Sequence, residues 1–235
     1  MNTNILETIK TFYIGFDFSI NKPAATILTP DNEFFFFAWP CSLTKTADSA
    51  YSSIGSDRIT VTNRNLETIS AENESDLTYE HTKRSYDLAK MIVSDISEFI
   101  NGYCEKFGGD AKFHVWMASE GLSFASKGNM TLNLATYKGV FLSIWYETFA
   151  DAMEYCKMFT YSPVTIKSTA GCAGKEARSQ KDPMIKAFLK EPENEFSKVL
   201  KTNQLKNKND KYYACVDDIV DSYWALQTML KKQTA

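Results

Sequence analysis

The chain has 235 residues and a formal net charge of −3, with 44% hydrophobic and 14% aromatic residues. That length and composition suit one ample folded domain, with a core too large for a disordered or purely fibrous chain. No cationic start leads into an apolar stretch and no apolar run approaches spanning length, so neither a signal peptide nor a membrane segment is expected. The five cysteines are scattered without a Cys-x-x-Cys, as buried thiols in a reducing, cytoplasmic compartment would be. With only His81 and His114 available, any metal would be held by oxygen.

The charge is unevenly spread. Residues 157–211 carry twelve Lys or Arg against six acids, which leaves the rest of the chain at −9. Such a segment is either a solvated surface or an electrostatic footprint for a phosphate backbone.

Thr11–Ile20 predicts a central strand, because Tyr13, Ile14, Phe16 and Phe18 are strong strand formers around Asp17. A carboxylate inside so apolar a run requires a partner or a cation, unless it caps a turn toward Asn21-Lys22-Pro23. Ala24–Leu28 and Glu33–Trp39, joined by Thr29-Pro-Asp-Asn32, read as two further strands of an antiparallel meander. Residues 40–78 are polar and aperiodic, a long loop or insertion with a short strand at Arg58–Thr62.

Leu88, Ile92, Ile96, Phe99 and Tyr103 fall at helical spacing over about 79–104, and Gly108-Gly109 ends that helix. Lys112–Ala118 is a strand followed at once by Ser119-Glu120-Gly121. A helical crossover makes this strand parallel to the first, which sets Glu120 near Asp17; its other reading is a solvated turn residue. Residues 124–156 read as a long helical region in which Gly139 signals close packing against a neighbour. Val164–Lys167 reads as a strand, and the loop 168–175 opens a helix from Lys175 to Lys190. That loop either presents backbone N–H groups to phosphate, aided by Lys167 and Lys175, or simply connects. Residues 191–211 read as a mobile charged insertion. In the closing helix, about Ala214–Lys231, Asp217, Asp218 and Asp221 share one flank. They either complement the helix dipole or bind a dication.

The order of these pieces resembles the RuvC-type Holliday junction resolvases. Tyr13-Ile-Gly-Phe-Asp17 is similar to the family's opening Gly-Ile-Asp strand, with Phe18-Ser19 in place of the usual Pro-Gly. Glu120-Gly-Leu-Ser-Phe-Ala, with Leu132-Asn-Leu134 and Lys138-Gly139 downstream, resembles its second acidic motif. Val164–Lys167 and Gly174-Lys175-Glu176 resemble its Lys-containing segment, and Asp218-Ile-Val-Asp221-Ser-Tyr-Trp-Ala225 its closing signature. The segments at 40–78 and 191–211 depart from it, and Asp217 leaves the last pair ambiguous. The divergence and extra length suggest a bacteriophage version, acting in a bacterial cell or an infected host.

The resemblance implies a single ribonuclease H-like α/β domain, a mixed five-stranded sheet flanked by helices, working as a homodimer on branched DNA in recombination and repair. It implies Asp17, Glu120, Asp218 and Asp221 as catalytic metal ligands for two Mg²⁺ or Mn²⁺ ions roughly 4 Å apart, which suits hard carboxylate oxygens. Lys167 and Lys175 would contact DNA. Phe124 would stack on a base at the branch point, or pack inward as a helix-start hydrophobe. No organic cofactor is expected. Two other readings stay open: a ribonuclease H-like nuclease for flaps, forks or RNA–DNA hybrids, and a non-catalytic DNA-binding or assembly module.

Overall fold

In a computed structural model of the chain, which describes residues 10–66, 74–106, 113–121, 129–149, 156–172 and 182–233, the apolar opening run is β1 (Lys10–Asp17), near the middle of a mixed sheet. It pairs antiparallel with β2 (Ala24–Leu28), which pairs antiparallel with β3 (Phe34–Ala38), so the expected meander forms. On its other side β1 runs parallel to β5 (Phe113–Glu120), after the long helix α2 (Glu74–Glu105), as the crossover argument required.

The sheet has six strands in the order β4-β3-β2-β1-β5-β6, where five were expected. The sixth is β4 (Ile59–Val61), the short strand within 40–78, which lies parallel to β3 with Ile59 beside Phe36. Burying Ile59 there covers β3 and moves the sheet edge outward. At the opposite edge β6 (Cys156–Tyr161) runs parallel to β5.

Alternation along β1 sends Phe12, Ile14 and Phe16 to one face, where Leu88, Ile92 and Ile96 of α2 join Tyr137, Phe141 and Trp145 of α3 (Asn129–Thr148). The other face is covered by α7 (Val216–Gln233) through Ile219, Val220, Tyr223 and Trp224, packed on Ala24, Phe36 and Ala38. Gly15 permits this close approach. A Cβ there would stand 1.9 Å from the Ser222 carbonyl oxygen and 2.6 Å from the Leu226 nitrogen. Gly139, expected to mark close packing, faces open space.

Several expectations are corrected. Residues 124–156 do not make one helix, since α3 ends at Thr148 and Cys156 already begins β6. Val164–Lys167 is not a strand but part of α4 (Pro163–Thr169). The β-branched Val164-Thr-Ile suggested a strand, but Ser162 accepts from the Thr165 N–H as an N-cap and Pro163 takes the first helical position. The 40–78 segment contains α1 (Lys45–Ser52), opened by an N-cap at Thr44, with Tyr51 buried and donating to the Ala214 carbonyl. The charged 191–211 stretch contains α6 (Glu195–Lys201), whose Phe196 and Leu200 enter the α7 core beside Phe188 of α5 (Asp182–Phe188). An Asn194–Ser197 capping box fixes the start of α6. No helix among the described residues is long and apolar enough to cross a membrane.

Candidate functional site

Asp17 and Glu120 end neighbouring parallel strands. Phe16 is in register with Ser119, so the two carboxylates follow side by side. Both fall on the face opposite Phe16, the one α7 covers. The first turns of α7 lie over the ends of these strands because the helix is held at Gly15 and at Thr26, whose hydroxyl is 2.8 Å from that of Ser222. Asp218 and Asp221, one turn apart, are carried on this helix immediately before Ser222.

Lysines compensate the acids. Lys22, from the β1–β2 turn, places Nζ 3.4 Å from Oδ2 of the buried Asp218. Lys138 of α3 donates to Ser119 Oγ at 3.1 Å and to the Glu120 carbonyl at 3.2 Å, with its ammonium over the Phe18 ring. Burial raises the Glu120 carboxyl above the ordinary range, while Lys167 and then Lys138 pull it back. Burial lowers the Lys138 ammonium, opposed by Glu120. Arg64 holds the turn itself, donating to the carbonyls of Ile20 and Asn21. Tyr137 lies against the same region; burial pushes its hydroxyl well up, Arg64 opposes this and Asp17 adds to it.

The donor set suits a hard divalent cation in kind, since all four candidates are carboxylates and no thiolate or imidazole is among them. As the side chains stand, no three Asp, Glu, His or Cys residues among the described ones converge closely enough to hold a metal ion. Among the described residues the site is a row of carboxylates with lysine counter-charges.

No family model matches the chain, and no curated protein matches it. Among solved structures it is similar to Thermus thermophilus RuvC, with a TM-score of 0.48 and 10% identity over 95% of this chain and 98% of that one. The T. thermophilus RuvC in complex with Holliday junction substrate gives 0.46 and 9%, covering 97% of each chain. The yeast mitochondrial Holliday junction resolvase Ydc2 gives 0.45 and 14%, over 99% of this chain and 82% of that one. These scores and identities are low.

Of the sequence-derived candidates, Asp17, Glu120, Asp218, Asp221 and Lys167 fall in or beside this region, with Lys167 on α4 instead of a strand. Lys175 and Phe124 lie outside the described residues, as do Gly108-Gly109. Asp217 and Asp218 differ in setting: Asp218 is buried and paired with Lys22, whereas Asp217 lines a neighbouring groove. Sequence reasoning gave no role to Lys22 or Arg64. Their signal was faint, a Lys before Pro23 and an Arg in a polar loop.

Proposed function

We propose that this chain is a metal-dependent, structure-selective endodeoxyribonuclease of ribonuclease H-like type that cuts four-way or otherwise branched DNA. The observation that supports it best is the side-by-side placement of Asp17 and Glu120 beneath the start of α7, which carries Asp218 and Asp221. Those four carboxylates would hold Mg²⁺ or Mn²⁺. Bound there, the ions would supply an activated water and charge neutralisation for phosphodiester hydrolysis. The chain's own residues do the remaining work. Asp17 and Glu120 are fixed by the sheet, and Asp218 by the helix. Lys138 orients the Glu120 backbone, and Lys167 offers positive charge to a phosphate beside Glu120.

A second reading has its own support. Lys22, Lys138 and Lys167 already neutralise much of the acidic row, as a non-catalytic DNA-binding module of this architecture would allow. Incubating four-way, fork, flap, RNA–DNA hybrid and linear substrates with Mg²⁺ separates the readings. Preferential cutting of the four-way junction supports the resolvase-like activity, and binding without cutting supports the module.

Symmetric resolution calls for two active sites, and a two-fold homodimer supplies them. We place its interface on α2 and α3. Phe141 and Trp145 are spent on the chain's own core, but Tyr79, Tyr86, Leu132 and Tyr146 stay exposed for it. Light scattering of the free and DNA-bound protein reads the stoichiometry directly.

A further inference from the structure

Beside the acidic row lies an open groove of about 610 Å³ whose lining includes Lys22, Lys186, Lys206, Lys211, Tyr212 and Asp217. Its inner end is the site itself: Lys22 reaches Asp218 from this wall, and Asp217 neighbours it on α7. Its outer wall is a tight hairpin. Lys206 bridges Tyr212, the Asn207 N–H donates to the Lys211 carbonyl at 2.8 Å, and the Asn207 side chain accepts from the N–H groups of Asn209 and Lys211. Leu205, fully buried, and the Tyr213 N–H donating to its carbonyl fasten that hairpin to the body.

We propose that this groove carries the sugar–phosphate backbone of one DNA arm away from the carboxylate site, with Lys186 and Lys211 as phosphate contacts. The proposal rests on the nuclease reading and adds where the substrate leaves the site. Three features favour a backbone over a small molecule. The lysines come from three separate segments, the β1–β2 turn, α5 and the 206–212 hairpin. Lys186 and Lys211 are exposed and reach solvent. Of the two acids that line the groove, Asp210 forms a 2.9 Å ion pair with Lys206, which leaves the lysines in excess over Asp217. The Tyr212 ring lies under Lys206 Nζ at 5.1 Å and holds that lysine against the hairpin wall.

The test is the salt dependence of binding to a fluorescent four-way junction, in chelator so that nothing is cut. Each lysine that neutralises a phosphate contributes about one to the slope of log K against log salt. Lys186→Ala/Lys211→Ala should lower the slope by about two and weaken binding. Lys186→Arg/Lys211→Arg should keep the slope, and Lys10→Ala/Lys106→Ala, at the opposite end of β1 from Asp17, should leave it unchanged. Equal slopes for the parent and the Lys186→Ala/Lys211→Ala protein would overturn the groove and leave the nuclease reading standing. A lowered slope in chelator, with no cutting of branched DNA by the parent once Mg²⁺ is supplied, would keep the groove and overturn the nuclease reading. Failure of the parent to bind the junction would overturn both.

Discussion

The Lys22 ammonium is held 3.4 Å from Oδ2 of Asp218, a carboxylate that is only 5% exposed. Removing one partner of a buried charge costs folding free energy, about 1–3 kcal/mol. Lys22→Ala should therefore melt several degrees below the parent in chelator. If Lys22 substitutes for a cation at this site, Mg²⁺ or Mn²⁺ should raise the variant's midpoint more than the parent's. Equal shifts in the two proteins would put the ion elsewhere.

The contact of Gly15 with α7 gives a paired prediction on stability. Gly15→Ala forces a methyl group against the Ser222 carbonyl and the Leu226 nitrogen, backbone atoms that cannot step aside. Overpacking of this kind costs about 1–3 kcal/mol or more. It should also reduce cleavage, because α7 carries Asp218 and Asp221 away from Asp17. Gly139→Ala, in the interior of α3 with nothing near its Cβ, should instead add about 0.5–1 kcal/mol. Denaturant titration of both variants checks the opposite signs.

Much of this arrangement was legible in the sequence, and the parts that were not share a physical cause. The strands around Asp17 and Glu120 announced themselves because apolar runs at a sheet centre leave few alternatives. The α2 stripe of Leu88, Ile92 and Ile96 was equally direct. Where a short element is decided by its cap, the apolar pattern misleads. Val164-Thr-Ile looks like a strand until Ser162-Pro163 is read as a helix start. The α1 and α6 segments are short, polar on average and fixed by one or two buried aromatics, Tyr51 and Phe196. Only tertiary packing tells such anchors from residues of a solvated loop. Lys22 and Arg64 were invisible for the same reason, since their partners are the distant Asp218 and the carbonyls of another turn.

Glu120 supplies a pH signature. Burial raises its pKa in the fold, so the ionised form costs the folded state stability; that cost is present above the raised pKa and vanishes as pH falls through it. In chelator, Glu120→Gln should accordingly be more stable than the parent at neutral and alkaline pH, with the advantage shrinking toward acid. A stability gap that stays constant, or widens on acidification, contradicts this environment for Glu120.

The two adjacent acids of α7 should separate in function. Asp218 faces the site and Lys22, and Asp217 faces the groove. Asp218→Asn should abolish cleavage, and Asp221→Asn likewise. Asp217→Asn should keep cleavage and strengthen DNA binding slightly by removing a negative charge from the groove wall. Kinetics on a single branched substrate would reverse the assignment if the Asp217 variant were the inactive one.

The central claim is that Asp17 and Glu120, brought side by side at the ends of β1 and β5, form the catalytic centre of a nuclease for branched DNA. The most direct measurement is strand cleavage of a four-way junction with Mg²⁺, comparing the parent with Asp17→Asn and Glu120→Gln at matched junction occupancy. The prediction is cutting by the parent, no cutting by either variant, and near-parental junction binding by both. Near-parental cutting by either variant, or a parent that binds the junction and never cuts it, would contradict the claim.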